Sequence, residues 1–183
     1  MATWLCVTAA EVADHLRGPY AGHVGDIVVA APADEIYYYH VDSCMAVALY
    51  GVDPADRPVI VGMHIVMLMD VGPAQWPTPA EGAAHYAQVA SARLRGYRFT
   101  DAAFIGDSGD WTAPAQALAT SLQMPDGRSR FYDVGVSDVW AFGGGQILVH
   151  QWAGRPCPWY DDASRPVSGQ GGNVLRQEGG TVL

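Results

Sequence analysis

Two residues in this chain have the types and setting for nucleophilic chemistry. Cys44 closes the polar run His40-Val41-Asp42-Ser43 and opens the apolar run Met45-Ala46-Val47-Ala48-Leu49. His64 lies in the next apolar run, Val61-Gly62-Met63-His64-Ile65-Val66. An unperturbed thiol has a pKa near 8.5, so at neutral pH it is mostly protonated and needs a base beside it. An imidazole can take that proton, and backbone N–H groups at the turn around Cys44 can face the oxyanion that forms when the thiolate attacks a carbonyl. Against this stands the ordinary role of each residue: a small buried thiol and a hydrogen-bonded core histidine.

The pair needs two neighbouring strands. Asp26–Ala31 and Ile36–Val41 read as strands from their β-branched and aromatic content. Cys44–Tyr50 continues in extended form. Gly51 to Pro58 is a polar turn, and Val59–Met69 is a strand apolar on both faces. An antiparallel pairing across that turn brings Cys44 and His64 together. His40 precedes Cys44 closely and is a second-choice base, provided both lie on one strand.

The rest of the chain supplies layers. Thr8–Leu16, with Thr8 and Glu11 in capping-box spacing, predicts a short helix. Ala80–Leu94 carries apolar residues at helical spacing and ends near Gly96. Ala102–Gly106 is a short strand. Ala113–Leu122 is a second helix capped by Asp110 or Thr112. Ser129–Val134 and Gln146–Trp152 are closing strands. Gly143-Gly144-Gly145 lacks the Lys-Ser/Thr and the following helix of a phosphate loop and reads as a hairpin turn. Residues 1–153 form one domain. Residues 154–183, rich in Gly, Pro, Ser and Gln, read as a mostly irregular tail, with disorder expected near Gly169-Gln170-Gly171-Gly172.

Composition limits the function. The chain has 183 residues, half of them hydrophobic and only 16% charged, which suits one globular domain. Ten basic residues against nineteen acidic ones give a net charge of −9, which argues against nucleic-acid or anionic-membrane partners. The start lacks a signal peptide's basic segment, and the longest apolar run is too short to span a bilayer. A cytoplasmic protein is expected, or an effector secreted without a cleavable signal. Three widely spaced cysteines fit neither a disulfide framework nor a zinc site. His15, His23, His40, His85 and His150 show no metal-ligand spacing. The string Gly106-Asp107-Ser108-Gly109 occurs in trypsin-like proteases, but this chain lacks their two-barrel length. A turn opening a helix is the simpler reading.

Asp42-Ser43-Cys44-Met45-Ala46-Val47 followed by Gly62-Met63-His64-Ile65 resembles the signature of the chemoreceptor glutamine deamidases, the CheD family. Ile105-Gly106 before a helix, Asp133-Val134-Gly135, and the apolar run Gly145-Gln146-Ile147-Leu148-Val149 match further family elements in order. The resemblance spans roughly residues 24–150. It implies an α+β fold, a layered α/β/β sandwich with mixed, largely antiparallel sheets. It implies a protein-glutamine deamidase in which Cys44 attacks and His64 moves protons. No cofactor and no metal is implied, and the partner is a protein carrying a target glutamine. The family's histidine-orienting Thr is replaced by Tyr38, and the hydroxyl or main-chain carbonyl of Tyr38, or another group, would take its place. Asp42 replaces a Gly, no residue separates Met63 from His64, and Val136 replaces the second Gly of the Asp-Val-Gly-Gly element. These departures leave the partner open: a chemotaxis receptor, or a host protein as for the related cytotoxic necrotizing factor deamidases. A CheD-like binding module without activity is one alternative. A YfiH-like purine nucleoside enzyme with a Cys–His metal site is another, although the His-Ala-Gly-Trp-Arg-Gly segment of that group is absent after His64.

Overall fold

Alternation of side chains sorts the chain into two buried layers. The computed structural model describes residues 4–8, 27–33, 35–41, 44–66, 79–135, 137–142, 145, 147–151, 174–176 and 180–183. Its strands are β1 (Trp4–Thr8), β2 (Ile27–Ala30), β3 (Glu35–Val41), β4 (Cys44–Val52), β5 (Pro58–Val66), β6 (Arg98–Gly106), β7 (Ser129–Asp133), β8 (Ser137–Phe142), β9 (Ile147–Gln151), β10 (Val174–Arg176) and β11 (Thr181–Val182). The helices are α1 (Pro79–Arg93) and α2 (Ser108–Ser121). One sheet has the order β1-β3-β8-β9-β10, the other β11-β7-β6-β4-β5-β2. Among the described strands only the β1–β3 and β6–β7 pairs are parallel.

Strand β4 runs through the middle of the larger sheet and is apolar on both faces, as a doubly covered strand must be. Met45, Val47 and Leu49 join Val61, Met63, Ile65 and Phe104 against Ala87 and Ala90 of α1 and Trp111, Ala115 and Leu118 of α2. The alternate residues Ala46 and Ala48 join Ile60, Ala103 and Ile105 against Ile36, Tyr38, Val139, Ala141, Ile147 and Val149 of the smaller sheet. The fold is thus mixed α+β: helices lie on one face of the six-stranded sheet and the second sheet lies on the other. The chain passes from the smaller sheet to the larger between Val41 and Cys44, and back between Asp133 and Ser137. Both passages lie at the end of the larger sheet where β4 begins and β6 and β7 finish.

Several expectations need correction. Thr8 ends a strand that pairs with β3, and the helix expected after it lies outside the described residues. Helix α2 starts earlier than expected and is capped by Asp107, whose side chain accepts the Gly109 N–H, rather than by Asp110 or Thr112. Thr112 instead donates back to the Ser108 carbonyl at 2.7 Å. Strand β6 starts at Arg98 because its exposed, polar first half still pairs with β4. Strand β8 forms a hairpin with β9 around Gly145, whose φ of 80° is the left-handed conformation that a turn glycine supplies. The last residues are not uniformly irregular: β10 pairs with β9, β11 pairs with β7, and Leu183 packs on the helix-side core. Such short strands are carried by the edges they join rather than by their own composition. Residues 67–69 and 169–172 lie outside the described residues.

Candidate functional site

The register of β4 and β5 sets the relation between Cys44 and His64. Ala46 stands opposite His64 and Cys44 opposite Val66. Side chains alternate along a strand, so Cys44, Ala46 and His64 share one face. Cys44 and His64 are therefore diagonal cross-strand neighbours, a relation with about 7–8 Å between Cα atoms and less between Cβ atoms. Their face is the one covered by the smaller sheet. Cys44 is 6% exposed and His64 is 0% exposed.

Tyr38 reaches this face from β3. Its ring lies edge-on to the His64 ring, with centroids 6.3 Å apart and planes at 73°. Its hydroxyl donates to the Val47 carbonyl at 2.6 Å. The phenolic proton is thus committed to β4, and the approach to His64 is ring against ring. Burial pushes the Tyr38 hydroxyl well above the usual tyrosine pKa, with Tyr50 adding to the shift. It stays a neutral donor, as its bond to a carbonyl requires.

Two glycines make the close packing possible. A Cβ at Gly62 would lie 2.7 Å from Ile36 Cγ2 and 2.9 Å from the Tyr38 hydroxyl. Gly62 lies opposite Ala48, so small residues on both strands leave the space into which Tyr38 and Ile36 descend. A Cβ at Gly106 would lie 3.0 Å from the Cys44 carbonyl oxygen and 3.3 Å from the Trp111 ring. Gly106 therefore lets β6 and α2 close around the start of β4. Both glycines stand in the sequence motifs, but nothing in their spacing reveals which atoms they make room for.

Two of the other motif elements, Ile105-Gly106 and Asp133-Val134-Gly135, meet at the same end of the sheet, whereas Gly145 lies at the far end of the β8–β9 hairpin. Asp133, at the end of β7, accepts the Ser108 N–H and the Ser108 hydroxyl, each at 2.9 Å. The Val134 N–H donates to the Gly106 carbonyl at 3.0 Å. Gly106-Asp107-Ser108-Gly109 is thus the capped start of α2, with one carboxylate from within it and a second from β7. Ser108 is an exposed helix-start residue, tied to a carboxylate with no histidine between them. Ser137 is buried and donates to the Gly135 carbonyl at 2.7 Å.

His40 is a second-choice base only on the condition that it shares a strand with Cys44; that condition is not met, because the two lie on β3 and β4, in different sheets, and the chain changes layers between them. Of the backbone N–H groups expected around Cys44, those of Asp42 and Ser43 lie outside the described residues. Among the described residues, no group of three His, Cys, Asp or Glu side chains is arranged to hold a metal ion, and no helix is long and apolar enough to cross a membrane. Comparison with known proteins finds no matching family model and no matching curated protein.

Proposed function

We propose that the chain is a CheD-like protein-glutamine deamidase with Cys44 as nucleophile and His64 as its acid–base partner. The observation that carries this reading is the β4–β5 register, which sets the thiol and the imidazole on one face as diagonal neighbours. Further support comes from the meeting of the Gly106 and Asp133-Val134 elements with the start of β4 at one sheet end and from an α+β layering of the kind the resemblance implies.

In this mechanism the Cys44 thiol gives its proton to His64 and Sγ attacks the side-chain carbonyl carbon of a glutamine. The C–N bond then breaks. Ammonia leaves with the proton returned by His64, and a thioester remains. His64 next takes a proton from water, the hydroxide attacks the thioester, and the sulfur leaves as thiolate and is reprotonated. The product is a glutamate on the partner protein, and no electron changes hands. Tyr38 acts by packing: its ring limits the positions the imidazole can take.

The test is intact-mass analysis of candidate partner proteins together with an ammonia assay. Wild-type protein converts amide to acid, while Cys44→Ser and His64→Ala each lose activity on the order of 10³-fold or more and keep their fold. Because thiol and imidazole act as one unit, the double variant is little worse than either single one. Full activity in Cys44→Ser rules the mechanism out. The burial of both side chains favours one second reading, a binding module of the same fold. Under that reading a partner binds tightly, is never modified, and a mild alkylating reagent labels Cys44 no faster than Cys6 or Cys157.

A further inference from the structure

The face that carries Cys44 and His64 continues along the sheet into a second polar region. Successive cross-strand rows on that face read His64, Ala46, Ile105, Tyr132, then Gly62, Ala48, Ala103, Arg130, then Ile60, Tyr50, Asp101. Over the last two rows, on the β6–β7 side, lies a cleft of about 480 Å³. Tyr50, Asp101, Ala103, Arg128, Arg130 and Tyr132 line it, and Gly145 of the β8–β9 turn borders it from the smaller sheet. Tyr50 lies roughly 20 Å along the strand from Cys44, at about 3.3 Å per residue.

Three observations give the cleft a ligand chemistry. First, the Tyr50 hydroxyl is buried and meets no hydrogen-bond partner among the described residues, a costly state for a polar group. Burial, with Tyr132 and Asp101 nearby, holds it far above the usual tyrosine pKa, so it is a donor without an acceptor. Second, two guanidinium groups line the cleft, each with little of its donor capacity used. Arg128 meets Asp101 at 3.4 Å, and Arg130 meets the Gly180 carbonyl at 3.3 Å, both long contacts. Third, the floor at Ala103 is small and apolar and stands between two tyrosines, which suits a flat organic body. Among the described lining residues Asp101 is the one acid, and its pairing with Arg128 leaves those residues with net positive charge in an acidic chain.

We infer that this cleft is a second binding site, separate from the Cys44–His64 site, for a small organic carboxylate whose oxygens face Arg130 and the Tyr50 hydroxyl and whose flat body lies over Ala103. A guanidinium matches a planar carboxylate in a two-pronged contact, and the hydroxyl adds a third donor.

The probe is benzoate, titrated into the full chain by calorimetry. A saturable isotherm with a millimolar dissociation constant is expected, the range open to a ligand of so few atoms. Benzamide has the same shape without the charge and binds at least roughly 10-fold more weakly. Arg130 is exposed, so Arg130→Gln folds normally and weakens benzoate roughly 5-fold or more. Tyr50→Phe weakens benzoate and at the same time raises the melting temperature of the ligand-free protein, because it removes an unpaired buried hydroxyl. Prior alkylation of Cys44 leaves the isotherm unchanged. Equal binding of benzamide, tighter binding of inorganic phosphate, or a lowered melting temperature in Tyr50→Phe would each overturn the assignment.

Discussion

The β4–β5 hairpin treats polar groups in opposite ways at its two ends. At the turn, Asp53 is buried but fully engaged. It accepts the Ala55 N–H at 2.8 Å, the Arg57 N–H at 3.0 Å and the Arg57 Nε at 2.7 Å. Every partner lies within four residues, so the network assembles as the turn closes. At the open end, Cys44 and His64 are buried with neighbours brought from β3, β6 and α2, far apart in the sequence. The turn end is a local solution that serves folding. The open end exists only when both layers are assembled, which is where a protein can hold reactive groups in a fixed geometry.

Two glycines on the same hairpin sharpen that contrast. Gly51, near the turn, sits at a register shift between β4 and β6. A Cβ there would lie 2.1 Å from the Arg98 carbonyl oxygen and 2.8 Å from the Phe99 Cα. Backbone in a central sheet cannot step aside, so Gly51→Ala has the larger effect, about 3 kcal/mol or more lost in denaturant unfolding. Gly62→Ala meets side chains instead and costs about 1–3 kcal/mol. It also displaces the Tyr38 hydroxyl from Val47, so it alters the His64 end of the hairpin directly. If the reading of the site is right, Gly62→Ala lowers deamidase activity by more than its fraction unfolded accounts for, while Gly51→Ala lowers activity only in step with unfolding. Equal losses per folded molecule in the two variants would erase the distinction between the ends.

The same contrast marks what was legible in the sequence. The β4 and β5 runs, the polar turn between them and their antiparallel pairing follow from hydrophobic pattern and turn residues. So does helix α1, because Gly96 at φ 83° ends it where a glycine is needed. Where structure depends on a distant partner, the pattern is silent. β1 and β11 are strands because β3 and β7 offer edges to them. The cap of α2 falls on Asp107 because Asp133 of β7 anchors Ser108, which fixes the start of the helix ahead of its apolar residues. The Tyr38–His64 approach had a partial signal in motif order. Its ring-to-ring form depends on Gly62 and Ala48 standing opposite one another, a fact of register rather than of composition. The cleft at Tyr50 and Arg130 had no sequence signal, since its residues come from three strands and two connections.

The mildest test acts on the turn end through pH. Arg57, by its side-chain and backbone hydrogen bonds, holds the Asp53 carboxyl below the ordinary aspartate range, against the opposing effect of burial. In the unfolded chain Asp53 titrates near the usual value of about 3.9. The folded state therefore binds this proton less readily than the unfolded state does. The resulting stability is fully present above the ordinary aspartate pKa and is lost as pH falls through the lowered folded value. Asp53→Asn removes that carboxylate and its ion pair while keeping an oxygen to accept the Ala55 and Arg57 N–H groups. The variant is less stable than wild type at neutral pH, and the difference shrinks as the pH is lowered into the aspartate range. Melting curves of the two proteins from neutral to strongly acidic pH measure this directly. A gap that stays constant across that range would mean that the Asp53 charge contributes nothing and that the turn is held by hydrogen-bond geometry alone. In either case the Cys44 end does not follow the pattern: Asp53→Asn leaves activity per folded molecule unchanged, because its partners all lie within the turn.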